Sequence, residues 1–170
     1  GMQSQGRNYL IPVDSDIQSE DELPYKALDV GLVLAKMKNA GAPFNIVILD
    51  ACRNNPFASS FRSVSRGLAQ LDAPAGSLIV YATAPGSVAG DGDGPNGIFT
   101  QHLLRHIAAP GLDVELMLRQ VRKGVVQETS GKQVPWTSSS LQGGFSFAPG
   151  HGPAAGPGPA PQPAPQLATA

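Results

Sequence analysis

The sequence predicts an α/β domain with a largely parallel sheet. Residues 44–49 and 76–82 are continuous apolar runs rich in β-branched residues, which is typical of strands buried on both faces. Helical patterns cover residues 25–40, 98–109 and 112–127, so that strands and helices alternate along the chain. This alternation favours a parallel sheet between helices. Ligands of such domains bind beyond the carboxyl ends of the strands.

The segments before the first buried strand predict smaller elements. Residues 2–14 indicate a hairpin, with its turn at Gly6-Arg7-Asn8 and its second arm at 9–13. The acidic residues 15–24 predict a loop. In the helix predicted at 25–40, Gly41 is the stop signal, and the apolar face consists of Leu28, Leu32, Ala35 and Met37.

The end of the chain changes in composition. A Gly/Pro-rich loop at 84–97 precedes the last two helices, which Pro110-Gly111 separates, and a final strand is expected from Gly144 to Phe147. Seven of the 16 prolines lie in the last 23 residues, which contain no Asp, Glu, Lys or Arg. Such a segment cannot bury a core. We therefore expect a domain over 1–147 and a disordered tail or linker over 148–170.

Composition excludes several classes of function. A net charge of -1 and 6% aromatic residues argue against nucleic acid as a partner. One cysteine can form neither an internal disulfide nor a zinc site of the usual spacing. His102 and His106 lack the Glu of an H-E-x-x-H motif, and we interpret them as two histidines on a helix face. No signal peptide and no apolar run of about 18 residues is present, so we expect a soluble protein and no membrane partner.

Cys52 is the main candidate for catalysis. It follows the first buried strand and is flanked by Asp50 and Arg53, whereas the loop from Thr83 to Gly97 follows the second strand. These two segments are expected to form the two walls of one site. A thiol has a pKa near 8.5 and needs a nearby histidine to become a nucleophile at neutral pH. The alternative is an inert, buried cysteine.

Four ordered stretches resemble the caspase-like cysteine peptidases (peptidase C14), in the branch of bacterial metacaspases and orthocaspases. In ILDACRNNPF, Ala51, Cys52 and Arg53 agree with the caspase signature Q-A-C-[RQG]-G, whereas Asp50 and Asn54 replace the Gln and the second Gly. The other stretches are GRNYLIPVD (6–14), YATAPGSVAGDGDGPNGIFT (81–100) and QVPWTSSSLQGGFSF (133–147).

This resemblance implies a caspase-like three-layer sandwich whose first strands are missing from this chain. In the family, the catalytic base is a histidine of a His-Gly pair about 50 residues before the cysteine. Gly1 resembles the glycine of that pair, so the base is expected just upstream, and none of the three histidines present corresponds to it. The chain alone is therefore expected to be inactive, and an unpaired strand edge should make it unstable or prone to aggregate without its upstream half.

The resemblance also implies a cysteine endopeptidase that cleaves protein or peptide substrates after Arg, and less well after Lys. Asp50 would bind the basic side chain through charge-assisted hydrogen bonds, with Thr83 and Asp91 beside it. Alternatively, Asp50 caps the following turn, and Asp91 and Asp93 belong to a solvated turn. The backbone N–H groups of Gly1 and Cys52 would hold the oxyanion.

No cofactor is required by this mechanism and no metal ligands are assigned. Calcium activates some metacaspases, but Asp91 and Asp93 do not fit the EF-hand pattern. Trp136 could contact substrate, although core packing is favoured. The cytoplasm or periplasm of a bacterium is the expected compartment.

Two other functions remain open at this point. Caspase-like folds also serve as inactive scaffolds or interaction modules. A nucleotide-binding domain with Asp50 as a metal-binding acid would need a phosphate-binding glycine loop, and the sequence lacks G-x-x-x-x-G-K-[ST].

Overall fold

A computed structural model of the protein describes residues 1–51, 68–85, 87, 89–90, 92 and 94–150. Two sheets are formed within these residues, and the second sheet lies between helices. The tail predicted from residue 148 lies outside the described residues from 151 onward.

The first sheet starts with the predicted hairpin. Strand β1 (Met2–Ser4) pairs antiparallel with β2 (Arg7–Leu10). The turn lies at Gln5 and Gly6, with φ of 49° and 75°, rather than at residues 6–8 as predicted. Two consecutive positive φ angles match the tight turns that suit the twist of a hairpin. Strand β3 (Leu28–Asp29) then pairs with β2.

The loop predicted at residues 15–24 is wrong in part. Residues Glu20–Glu22 form a 3-10 helix, and α1 (Leu23–Lys26) follows directly. Ile17 and Leu23 are buried in a small core beneath the hairpin, which also contains Met2 and Tyr9. Two apolar side chains in a polar stretch were enough to fold it against the sheet, because burying such side chains contributes about 1.5–3 kcal/mol each.

Helix α2 (Val30–Asn39) is shorter than the helix predicted at 25–40. The carboxylate of Asp29 accepts a hydrogen bond from the Gly31 N–H at 2.7 Å, which caps the helix start. At the other end, Gly41 has a φ of 70°, as expected for a helix stop.

The predicted apolar face of this helix is wrong. Val30 and Leu34 are the buried residues, whereas Leu32 is 51% exposed. Leu28 belongs to strand β3 and is 47% exposed. Because pairing with β2 delays the start of the helix, the buried face is set by Val30 and not by Leu28.

The second sheet contains the two predicted buried strands. Strand β4 (Asn45–Leu49) pairs parallel with β5 (Ser77–Tyr81), with Leu49 opposite Tyr81. All residues of β5 are buried, as predicted, whereas the middle of β4 is partly exposed. Strand β6 (Trp136–Ser139), which the sequence did not predict, pairs antiparallel with the other side of β5.

The final strand expected from Gly144 to Phe147 is not formed. Instead, the Phe145 carbonyl accepts a hydrogen bond from Val114 N–H at 2.7 Å, and the Phe145 N–H donates to Asp113. Residues 144–147 therefore cover the start of the helix that begins at Val114. Strand β6 already holds the edge of β5 that such a strand would need.

Both C-terminal helices are confirmed, although the first ends three residues earlier than predicted and the second begins two residues later and ends one residue later. Helix α3 covers Ile98–His106 and α4 covers Val114–Glu128. Asp113 caps α4 by accepting from the Glu115 N–H at 2.9 Å. In the described part of the chain, no helix is both long and apolar enough to cross a membrane.

The second sheet is the middle layer of three, as predicted for a three-layer sandwich. On one face, β5 packs against α3 and α4 through a core that includes Leu78, Val80, Phe99, Met117 and Val121. On the other face, α2 covers a core that includes Val30, Leu34, Leu49 and Ile79.

Candidate active site

The carboxyl ends of the two parallel strands meet, as predicted. Asp50 and Ala51 follow β4, and the Ala82 N–H donates to the Leu49 carbonyl at 3.0 Å. The two segments therefore leave the sheet side by side. Cys52, predicted as the nucleophile, lies outside the described residues, as does Asp91.

Asp50 is exposed at this end of the sheet. Its carboxylate accepts a hydrogen bond from the Thr100 hydroxyl, in the first turn of α3. A Cβ atom at Gly97 would lie only 3.3 Å from Asp50 Oδ2, so the helix start approaches the carboxylate where no side chain intervenes. The positive end of the helix dipole favours a carboxylate at this place.

Thr100 was not assigned a role from the sequence. The only signal was its position as the last residue of the GIFT segment, within one of the stretches that carry the resemblance. Its pairing with Asp50, 50 residues earlier in the chain, depends on the packing of α3 against the sheet.

Thr83 follows β5 and is 2% exposed. Among the described residues, its Oγ1 atom is buried without a hydrogen-bond partner. Buried hydroxyl groups are nearly always paired, so an orphan beside a candidate site marks an unused hydrogen-bonding capacity. Its predicted contact with substrate stays a prediction.

Gly1 lies against the end of β4. A Cβ atom at this position would approach the Ala51 Cβ at 3.3 Å and the Tyr9 carbonyl oxygen at 3.2 Å. A glycine therefore suits this close approach. The geometry brings Gly1 next to the residue that precedes Cys52, whereas its role in an oxyanion hole stays a prediction.

Gln133 is a second residue that sequence reasoning missed. It is 2% exposed, and its carboxamide donates to the Ala82 carbonyl and accepts from the Gly90 N–H, both at 2.9 Å. It thereby joins the end of β5 to the loop at 84–97. As first residue of the QVPW stretch it was part of the resemblance, but a glutamine before a proline gives no sign of burial.

Segment 68–74, which follows the undescribed residues after Cys52, is held by side chains from three strands. The Asn8 carboxamide makes two bonds to the backbone of Ala69, of 2.7 and 2.6 Å. The Leu71 N–H donates to the Tyr81 hydroxyl at 3.1 Å, and the Ala73 N–H donates to Ser138 Oγ at 3.1 Å. Burial raises the pKa of Tyr81 above its ordinary value.

The contacts of His102, on helix α3, indicate a structural role for this histidine. His102 is buried, and its Nε2 atom lies 2.9 Å from Glu128 Oε2, which joins α3 to the end of α4. A Cβ atom at Gly124 would lie 2.2 Å from His102 Nδ1, so this glycine allows the two helices to approach. His151 lies outside the described residues. Within those residues, no group of three or more His, Cys, Asp and Glu side chains could hold a metal ion.

The exposure of Trp136 contradicts the expectation that this side chain packs in the core. It lies on the edge strand β6 and is 40% exposed. Because β6 is an edge strand with partly exposed faces, its tryptophan is only half covered by neighbours.

Comparisons with known proteins were made for the whole chain. A family model described as the caspase domain matches residues 1–146. Among solved structures, caspase-1 from Spodoptera frugiperda is similar, with 22% sequence identity and a TM-score of 0.41. That match covers 48% of this chain and 38% of the other chain, so this chain spans well under half of that relative's length. No curated protein matches this chain.

Proposed function

Because the chain belongs to the caspase-domain family of cysteine peptidases, we propose that the natural protein is a cysteine endopeptidase that cleaves after Arg, and less well after Lys. Cys52 is the nucleophile in this proposal. The metacaspase-like branch and the preference for basic residues rest on Asp50, which stands two residues before the cysteine where caspases have Gln.

The observation that carries this proposal is the position of the Asp50 carboxylate. It is exposed at the end of β4, it is oriented by Thr100, and no side chain separates it from Gly97. A guanidinium group binds a fixed carboxylate well, since charge-assisted hydrogen bonds contribute about 1.5–3 kcal/mol each. Within the described residues, the buried Thr83 hydroxyl on the neighbouring strand end has no partner, and it would be a further acceptor for a group that reached it.

The proposed reaction proceeds through a thioester. The Cys52 thiolate attacks the scissile carbonyl carbon, and backbone N–H groups of Cys52 and Gly1 hold the resulting oxyanion. A histidine expected upstream of Gly1 protonates the leaving amine as the C–N bond breaks, and water then hydrolyses the thioester to release the acid and the thiol. The contact of Gly1 with Ala51 supports the placement of that upstream segment beside the nucleophile.

A non-catalytic scaffold is the second candidate. The hydrogen bond from Thr100 to Asp50 favours it, because a carboxylate that joins the end of β4 to the first turn of α3 also has a purely structural use. In the peptidase, the Asp50 carboxylate binds the basic side chain of a substrate. In the scaffold, it has a structural role alone.

The experiment uses the full-length natural protein with two fluorogenic peptides, which carry Arg or Asp before the scissile bond. Cleavage after Arg is expected, and Cys52→Ala should abolish it. Asp50→Asn, which keeps an acceptor for Thr100 but removes the charge, should lower kcat/KM by about 10- to 100-fold. Preferred cleavage after Asp would refute the substrate preference.

The proposed mechanism includes no cofactor. Because calcium activates some relatives, each assay is run once with CaCl₂ and once with EDTA. Absence of cleavage from a folded sample in both conditions would favour the scaffold.

A further inference from the structure

We propose that Gln133 is a positioning residue that fixes the loop at 84–97 against the end of β5 and thereby sets the affinity for substrate. This inference rests on the proposed function, because the loop is one wall of the proposed substrate site. The carboxamide spans two parts of that wall, Ala82 directly before Thr83 and Gly90 directly before Asp91.

The chemistry of the side chain suits this role. Its Nε2 atom donates to one backbone carbonyl while its Oε1 atom accepts from one backbone N–H, both at 2.9 Å. Among side chains of this length that are ordinarily uncharged at neutral pH, only a carboxamide can do both with its two terminal atoms. At 2% exposure, water cannot readily replace the glutamine. Loss of the Gln133 carboxamide would leave the Ala82 carbonyl and the Gly90 N–H without this hydrogen-bond partner.

Gln133 is itself held in place by α4. Its backbone N–H donates to Thr129 Oγ1 at 3.0 Å, and the Thr129 hydroxyl donates to the Val125 carbonyl at 2.8 Å. Val125 is fully buried in the core between the sheet and the helices. This short path connects Gly90 of the loop to the rigid core, and its last member is the Gln133 carboxamide.

The hydrogen bonds through Thr129 and Gln133 lead to the loop that forms one wall of the proposed substrate site, and not to Cys52. Cys52 continues from β4, whereas Gln133 contacts the continuation of β5. Loss of the carboxamide should therefore weaken substrate binding more than it slows the chemical step. A merely structural residue would instead reduce the amount of folded protein and leave KM unchanged.

The first test follows hydrogen exchange of the backbone amides in the full-length protein, which needs no activity. In Gln133→Leu, the Gly90 amide should exchange at least about 10-fold faster than in the wild type, because it loses the Gln133 carboxamide as its hydrogen-bond acceptor. Val30→Ala is the matched control, because Val30 is buried in the core on the other face of the sheet, a cluster that includes no residue of the loop. This control should be destabilised while Gly90 keeps its protection.

The second test is kinetic and uses the Arg peptide. Gln133→Leu should raise KM by about 10-fold or more with kcat changed by less than about 3-fold. Gln133→Glu offers a pH-dependent rescue. Burial raises the pKa of a carboxyl group, and its neutral form has an O–H that can donate to the Ala82 carbonyl while the other oxygen accepts from Gly90. The ratio of kcat/KM between this variant and the wild type should therefore increase as the pH falls from 8 to 6.

The outcomes separate this inference from the proposed function. Unchanged exchange at Gly90 in Gln133→Leu overturns the positioning role, whatever the activity. Faster exchange with an unchanged KM overturns the effect on substrate. If the wild type cleaves neither peptide, the proposed function fails, and the exchange experiment alone decides whether Gln133 holds the loop.

Discussion

Two segments beside the candidate site are anchored differently. Segment 68–74 is held by Asn8, Tyr81 and Ser138, which come from three strands in both sheets. The loop at 84–97 is twice as long, and among its described residues the buried side-chain anchor is Gln133. A second bond, from the exposed Gln101 to the Asn96 carbonyl, holds only its far end.

This difference suggests that segment 68–74 and the loop at 84–97 have different roles. Distributed anchors make the loss of any one bond tolerable, because the others still define the backbone. In the loop at 84–97, the Gly90 N–H instead depends on one buried carboxamide, so loss of Gln133 should loosen the backbone around Gly90. Binding elements are commonly drawn from the less stable parts of a fold, which fits a loop proposed to bind substrate.

The largest effect is expected when segment 68–74 loses all three anchors. The triple variant Asn8→Ala, Tyr81→Phe, Ser138→Ala should lower the free energy of unfolding by roughly 3–5 kcal/mol, at about 1 kcal/mol or more for each lost bond. Urea denaturation of this variant and of the three single variants measures the effect. A triple variant no less stable than Asn8→Ala alone would contradict distributed anchoring.

Asn8→Ala by itself should cost about 2 kcal/mol, since it leaves both polar backbone groups of Ala69 unpaired. Hydrogen exchange should accelerate at Ala69 while the amides of Leu71 and Ala73 stay protected. Equal acceleration at all three amides would show that this segment depends on one anchor.

Thr100→Val tests the other end of the loop, where α3 meets Asp50. Losing the hydroxyl that orients the carboxylate should raise KM for the Arg peptide by about 3- to 10-fold, equivalent to about 1 kcal/mol. Thr100→Ser keeps the hydroxyl and should retain most of the affinity. A KM that rises in Thr100→Ser but not in Thr100→Val would indicate that the methyl group and not the hydrogen bond matters.

Tyr81→Phe is the smallest change, with an expected loss of about 0.5–1 kcal/mol near pH 7 because Leu71 loses its acceptor. Burial raises the pKa of Tyr81 in the folded protein. The unfolded protein thus releases this proton first, near pH 10, and stability falls as the pH rises from there toward the folded pKa. Comparison of urea denaturation at pH 9 and pH 11 should show a smaller loss in the variant than in the wild type.

The sequence predicted the elements whose patterns are local and strong. The buried strands β4 and β5, the helices α3 and α4 and the N-terminal hairpin all follow from apolar runs, periodicity or turn residues. Prediction failed where a distant partner decides the outcome. Strand β6 forms because β5 offers a free edge, and Gly144 to Phe147 cover α4 because β6 already holds that edge.

The candidate site divides in the same way. Asp50 and Thr83 were located from the sequence because each directly follows a recognisable strand, and the family resemblance singled out Cys52 and Gly1. Thr100 and Gln133 were missed, because neither their residue type nor their spacing distinguishes them from ordinary polar residues.

By itself, the sequence determined the family, the parallel pair of strands and the acid two residues before Cys52, because these depend on neighbouring residues in the chain. Only the tertiary structure decided that Thr100 orients Asp50 and that Gln133 joins Ala82 to Gly90. Each of these hydrogen bonds joins residues more than 40 positions apart, and only the packing of α3 and α4 on the sheet brings them within bonding distance.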